Sequence, residues 1–487
     1  MPTTNTPSDE FIKIKHRGKV FTPDYLVNVI LDRGHYRGRN ILKKHVIDNS
    51  CGDGQFIIMI VDRYCREFLK TSTDLSKLKS DLETYIHAIK IEEAELDACR
   101  DRCDKVTFSY NIENVNWNFI NGDALNVHIF DGKMDFVVGN PPYVRIHNLD
   151  DKRDSIRNYS FCEKGMTDLF IVFYELSLRM LNSHGIISYI TPSSFFTSLA
   201  SSKMREYFVD NKILESICDL KHFQAFNATT YTAITCLNKK CPNDFVEYAE
   251  FDVSSLKPKH ISNVVKSDFY INNNFYFSDK ESLTFLRSIM TNTKKADVIV
   301  KNGYATLADK IFIGDFEHDS KYIIPVIKAS CAKWTKIIFP YDKNGHLVDE
   351  STIADDKILY DYLLSNKSTL LNRSNEKNPE KYWYAFGRSQ GVNNTFKDKL
   401  SLNTLVRTPD DLKIIDVPSG RGVYSGLYII SDTIPYSQIK EALLKQKFCD
   451  YVSMLGKYKS GGYYTFSSKD VNNYLNYELT KKGIRHA

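Results

Sequence analysis

Residues 135–143 read DFVVGNPPY, an apolar run that passes without a break into Asn-Pro-Pro-Tyr. The run predicts a buried strand, and the two prolines end it. They fix φ and remove two backbone donors, so the neighbouring carbonyls are held rigid and stay out of regular structure. A stiff loop at a strand's carboxyl end follows, presenting the amide of Asn140, the carbonyls around Pro141 and Pro142, and the ring of Tyr143. Two adjacent acceptors can take both hydrogens of an exocyclic amine while an aromatic face covers the attached π-system. A proline-stiffened surface turn fits the same residues. The strand directly before the loop and a glycine loop upstream favour the binding reading.

That upstream loop is VIDNSCGDGQF, residues 46–56, where a short apolar run ends in Asp48 and Gly52 and Gly54 allow a tight turn into a helix. It lets a ligand approach the backbone at the end of a sheet strand. It is neither a GxGxxG dinucleotide fingerprint nor a phosphate loop ending in GK[ST]. Around these two loops, β-branched runs alternate with helical patterns, the sign of a parallel α/β sheet. Strands are expected at 45–48, 86–91, 117–120, 135–139, 186–191 and 229–237. Helices are expected at 24–31, with Thr22 as N-cap and Pro23 at the first helical position, and at 168–181.

With 487 residues the chain is long enough for two or three packed domains, and 42% apolar against 26% charged residues is an ordinary globular composition. No apolar stretch approaches the ~20 residues of a membrane helix, and the first ten residues lack a signal-peptide pattern. A soluble, cytoplasmic protein is expected, with no membrane partner. The ten cysteines are scattered without a CxxC or zinc spacing, so reduced thiols and no metal are expected. Charge is uneven: residues 251–487 hold 34 basic and 26 acidic side chains, residues 1–250 hold 31 and 34. A basic back half suggests a polyanionic partner. Regular alternation fades after about residue 245, which makes 241–266 the expected linker and gives two domains, 1–250 and 251–487.

Taken together, these motifs resemble the S-adenosylmethionine-dependent amino-methyltransferases, and more narrowly the gamma-ordered DNA adenine-N6 methyltransferases of restriction–modification systems. Further segments match in order: GKVFTPDYLV at 18–27, NGDAL at 121–125, TDLFIVFYELSLRML and GIISYITPSSFF after the NPPY loop, and HFQAFNATTYTAITCL at 222–237. The resemblance implies a Rossmann-like, mostly parallel sheet of seven strands with one reversed, followed by a mixed α/β target-recognition domain. It implies S-adenosylmethionine as cofactor and double-stranded DNA, with a flipped-out adenine, as substrate. Asn140 and Pro141, stiffened by Pro142, would accept hydrogen bonds from the adenine amine. Tyr143 would stack on the base and Phe226 would press on it. Thr22, Pro23, Asp48, Cys51, Gly52 and Gly54 would line the methionine portion. Asp123, with Ala124, would bind the cofactor's adenine, which Phe173 would touch, with Phe170 an equally placed rival.

Lys90 stands where the resemblance puts an acidic residue for the ribose hydroxyls, and Glu92 is expected to substitute. In the back half, Arg388 and Gln390 suit bidentate base contacts, and Lys457 and Lys459 suit phosphates. Fewer than 20 residues precede the first motif, so any restriction nuclease is expected on a separate polypeptide. Two other readings stand beside this one. The first is an NPPY methyltransferase acting on RNA adenine or a protein glutamine. The second is a DNA-binding protein with a decayed catalytic core.

Overall fold

The computed structural model describes residues 21–145, 156, 158–163, 167–226, 230–373 and 380–481. Residues 18–20 of the first matched segment, and 227–229 of the late one, including residue 229 where the late strand is expected to start, lie outside them. The chain divides into two compact units, one ending at Thr284 and one beginning at Phe285.

The first unit is built on one sheet. Its strands are β1 (Val46–Asp48), β2 (Ile86–Lys90), β3 (Asn118–Asn121), β4 (Met134–Gly139), β5 (Leu181–Pro192), β6 (Leu214–Asp219), β7 (Thr232–Asn238), β8 (Phe245–Asp252) and β9 (Lys257–Val265). They lie in the order β3-β2-β1-β4-β5-β7-β6-β8-β9. The first five run parallel, and β7 is antiparallel to both neighbours. The expected strands are thus present and one of them is reversed, but the sheet has nine strands rather than seven.

The two extra strands fill the segment expected to be a linker. β8 reads FVEYAEFD, whose alternation buries Val246 and Tyr248 on one face and Ala249 and Phe251 on the other. β9 reads KPKHISNVV, largely exposed and pairing antiparallel with β8 alone, as suits a lysine- and proline-bearing edge strand. Its polar composition is what disguised it. β6 was also unread, because LESICD is too short and mixed to show a period.

Helices α1 (Asp24–Arg33), α2 (Gln55–Leu69), α3 (Leu75–Tyr85), α4 (Glu93–Phe108), α5 (Leu169–Met180) and α6 (Ser202–Asp210) cover the sheet. Leu26, Ile30, Ile57, Ile60 and Val61 of α1 and α2 share one buried cluster with Val46 and Phe136. Thr22 is not the cap of α1. Pro23 holds that position, its carbonyl accepting from Leu26 and Val27, and the hydroxyl of Thr22 is used elsewhere. Among the described residues no helix is long and apolar enough to cross a membrane.

Two short strands, β10 (Tyr270–Ile271) and β11 (Asn274–Phe275), close the first unit as a hairpin. Buried Arg205 of α6 ties that hairpin to the loop after β5. Its guanidinium donates to the carbonyls of Asn273 (2.8 Å), Phe195 (2.6 Å) and Ser198 (2.8 Å).

The described residues of the second unit form ten short strands: β12 (Ile299–Asn302), β13 (Ile313–Gly314), β14 (Ile323–Lys328), β15 (Lys333–Ile338), β16 (Lys399–Leu402), β17 (Leu405–Val406), β18 (Ile414–Val417), β19 (Gly422–Tyr424), β20 (Leu427–Ile430) and β21 (Tyr464–Thr465). They form two four-stranded sheets, β12-β20-β16-β18 and β13-β15-β14-β19, and the pair β17-β21. The helix Ser468–Lys481 follows. Two cations, half-buried Arg373 and buried Lys399, again bind backbone. Arg373 donates to the carbonyls of Leu370, Thr306, Trp383 and Ala385, and Lys399 to those of Thr395, Lys397 and Arg421.

Candidate active site

Because β1 to β5 are parallel, their carboxyl ends line one edge of the sheet. The chain leaves β1 for β2 on one side and reaches β4 on the other, so the β1/β4 edge is a switch point where ligands bind in open α/β sheets. Asp48 ends β1, is 1% exposed, and accepts from the backbone N–H of Ser50 at 2.9 Å. Gly139 ends β4, and a Cβ there would lie 2.7 Å from Asp48 Oδ1. Gly139→Ala is therefore expected to displace the Asp48 carboxylate and weaken cofactor binding about tenfold or more while the protein still folds. Calorimetric titration would read this, and an unchanged affinity would refute it.

Directly after Gly139, the Asn140 side chain donates from Nδ2 to Thr22 Oγ1 at 3.1 Å. Its Oδ1 is buried and has no hydrogen-bond partner among the described residues. Leaving a buried acceptor unpaired costs about 1–3 kcal/mol, so such groups are rare away from functional sites. Ser50 Oγ reaches the Asn140 carbonyl at 3.5 Å, and among the described residues nothing donates to the Pro141 carbonyl. The Asn140 side-chain oxygen and the Pro141 carbonyl are thus unengaged acceptors on consecutive residues of the loop. Tyr143 is fixed by its hydroxyl, which donates to the Ile190 carbonyl at 2.9 Å. Its ring meets Phe226 (6.4 Å, 69°) and Phe170 (6.5 Å, 84°) edge to face, forming an aromatic wall. Phe173 is buried on the same helix as Phe170 but makes no ring contact with Tyr143 or Phe226.

Burial pushes the Asp48 carboxyl up to about 7, against the Ser50 hydrogen bonds and the Lys90 ammonium, which pull it down. A raised carboxyl favours the folded cofactor-free protein below pH 4, a contribution lost as pH rises through 7. A cationic ligand reverses the preference. Its affinity is expected to rise about tenfold per pH unit below 7 and to level off above. Titrations between pH 5.5 and 8.5 would test this, and a flat profile would remove Asp48 from cation binding.

Three neighbouring loops are stitched together. Cys51 N–H donates to Ile89 O, Gly122 N–H to Lys90 O, and the Asn121 amide to the carbonyls of Lys90 and Ile91. Gly54 has φ +91°, and a Cβ there would lie 2.5 Å from Cys99 Sγ on α4. Gly52, at φ +54°, has open space above it. Asp123 Oδ1 accepts from Leu125 N–H, capping the turn that holds buried Ala124. The Lys90 ammonium pairs with Glu92 (2.7 Å) and Glu95 (3.0 Å), so one oxygen of Glu92 is engaged by the very residue it was expected to replace.

Sequence reading missed several parts of this site. Tyr189 donates to Asn49 Oδ1 at 2.6 Å, and Asn49 donates to Ser177 Oγ at 3.0 Å, clamping the end of β1 to β5 and α5. Ser50 was legible in principle, since Asp-X-Ser is a local turn signal. The four back-half candidates belong to the second unit. Arg388 is exposed, and Gln390 donates from Nε2 to Gly303 O at 2.9 Å. The Lys457 ammonium is bound by buried Asp470 at 2.5 Å, while Lys459 is exposed.

Known proteins resemble the chain over most of its length. It is 24% identical over 420 residues to the Type II methyltransferase M.BstVI of Geobacillus stearothermophilus, covering 75% of this chain and 73% of that protein. The Type II methyltransferase M.XhoI of Xanthomonas vasicola matches equally, at 24% over 421 residues and 76% and 75% of the two chains. The Type II restriction enzyme and methyltransferase RM.Eco57I of Escherichia coli is 24% identical over 81% of this chain, which spans 49% of that protein. Among solved structures, the Type IIL restriction-modification enzyme MmeI in complex with DNA superposes with a TM-score of 0.62. That match has 14% identity and covers 95% of this chain and 64% of that one, a likeness of fold. The segment holding the glycine-loop helix, the NPPY loop and Phe226 also matches a family model: residues 56–226 are similar to the Eco57I restriction-modification methylase.

Proposed function

We propose that the chain is a DNA adenine-N6 methyltransferase of a restriction–modification system. The unpartnered, buried Oδ1 of Asn140 beside the Tyr143–Phe226 wall is the observation behind this reading. An acceptor held ready, a second carbonyl next to it and an aromatic face suit an amine on a planar ring. The 24% matches to Type II methyltransferases over three-quarters of the chain support DNA as substrate, as does the likeness to an enzyme solved with DNA.

The residues at the edge also fit S-adenosylmethionine. Asp48 would face its cationic methionine end, residues 51–54 would let it approach the backbone, and Asp123 would take its adenine amine. When bound, it supplies an activated methyl group on a sulfonium. The chain's own part is to position the acceptor nitrogen. Hydrogen bonds from the amine to Asn140 Oδ1 and Pro141 O favour a pyramidal nitrogen and free its lone pair, and the fixed loop gives near-attack geometry. A duplex adenine must leave the stack to reach this depth. Stacking on Tyr143 and Phe226, about 1–3 kcal/mol per contact, offsets a cost of a few kcal/mol.

Transfer of labelled methyl groups from S-adenosylmethionine to unmethylated genomic DNA, total RNA and a release-factor protein, assayed in parallel, tests this. N6-methyladenine in DNA is expected. Label confined to RNA or to protein glutamine would keep the catalytic loop and overturn the substrate, and no label with no cofactor binding would favour a decayed core.

A further inference from the structure

The second unit contains a cleft of 290 Å³ between the end of β12, the turn at residues 389–394 and the first residue of the helix Ser468–Lys481. No carboxylate lines it. Four amides do, those of Asn302, Gln390, Asn393 and Asn394, with two serines and Lys301. We infer that this cleft is a base-reading site, which takes the hydrogen-bonding edges of nucleic-acid bases on its amides and an adjacent phosphate on Lys301. The inference rests on the DNA reading above and goes beyond it by assigning residues to sequence choice.

The amides are oriented rather than loose. Gln390 donates from Nε2 to Gly303 O at 2.9 Å, which leaves its Oε1 as the free end. Asn394 donates from Nδ2 to Tyr428 Oη at 2.9 Å, which likewise leaves its Oδ1. Two acceptors fixed from behind by strand and ring are complementary to an exocyclic amine. Asn302 and Asn393 have no side-chain hydrogen bond to other described residues, and each offers a donor and an acceptor together, the pairing that reads adenine N6 and N7.

Backbone shape keeps the cleft open. Gly391 has φ +81°, and a Cβ there would crowd the Asn302 carbonyl at 3.3 Å. Asn393 fits only because Gly345 lacks a Cβ, which would collide with its side chain. The charge agrees. Lys301 and Arg388, next in sequence to the lining turn, are both exposed, and neither side chain forms an ion pair among the described residues. Two uncompensated cations beside a carboxylate-free amide cleft fit a polyanion whose interior carries amines and ring acceptors. A neutral polar ligand would have no use for the cations.

The test uses the full chain and fluorescence anisotropy with two labelled duplexes. One carries the sequence that the wild-type protein selects from a random duplex pool, and the other is scrambled. Asn393→Ala and Asn302→Ala are expected to weaken binding to the selected duplex about 10–100-fold and to the scrambled one by less than about threefold. Lys301→Ala is expected to weaken both alike and to lower the salt dependence by about one unit of slope. Equal weakening of both duplexes by the amide variants, or no change in any variant with the melting temperature preserved, would overturn the site. Binding is read without methyl transfer. A wild type that selects a sequence but transfers no methyl group would therefore sink the catalytic reading and leave the cleft to be judged on these affinities.

Discussion

Asn140→Ala is expected to slow methyl transfer to DNA by about 10²–10³-fold, the loss seen when one preorganised hydrogen-bonding group is removed from a reacting centre. The cofactor's dissociation constant is expected to change by less than about threefold. The split follows from the geometry. Among the described residues the Asn140 side chain hydrogen-bonds to Thr22 Oγ1 alone, so the substitution breaks no hydrogen bond with Asp48, Ser50 or the 51–54 loop. What it removes is the unpartnered Oδ1. That oxygen has no partner among the described residues, so on the proposed reading its interaction would belong to the substrate and grow as the amine nitrogen pyramidalises. Single-turnover rates with duplex DNA would separate this step from binding and product release. A variant within about tenfold of wild type would mean that the Pro141 carbonyl suffices, and the two-acceptor account would be wrong.

The parts of this site that sequence revealed are those whose chemistry is local. Asn-Pro-Pro-Tyr after an apolar run is a rigid loop wherever it occurs, and Asp48 before Gly52 and Gly54 is a strand end turning into a helix. What sequence withheld depends on distant partners. Thr22 was read as a helix cap because it precedes Pro23, yet its hydroxyl serves Asn140, 118 residues away. Gly139 looks like an ordinary strand residue until the carboxylate of the neighbouring strand is seen to fill the space of its missing Cβ. Glu92 was read as a free acceptor, but Lys90 two residues earlier occupies one of its oxygens. The fold divides in the same way. Strands buried on both faces read as apolar runs, whereas the edge strand β9, with lysines and a proline, has the composition of a linker and acquires its identity only from pairing with β8.

Arg205→Ala is expected to be the most destabilising single substitution in the first unit. Arg205 is 2% exposed, and its acceptors are three backbone carbonyls and the amide oxygen of Asn274. Burial without a carboxylate partner lowers its guanidinium to about 10, which leaves it charged at neutral pH. A charge in this position is tolerated because its donors meet carbonyls that neither helix nor sheet satisfies. Those of Phe195 and Ser198 belong to the loop after β5, and that of Asn273 to the β10–β11 turn. Alanine would leave them unpaired in an apolar setting that includes Phe195 and Phe275, at about 1–3 kcal/mol each where no water can enter. A loss of about 4 kcal/mol is expected, lowering the melting temperature of the first unit by about 10 °C. Arg205→Lys should recover little, because a compact ammonium cannot span carbonyls that a planar five-donor fork reaches on several sides. Calorimetric melting of both variants would measure this. A shift under about 2 °C for alanine would show that water replaces the guanidinium and that the loop after β5 is held by its aromatic contacts instead.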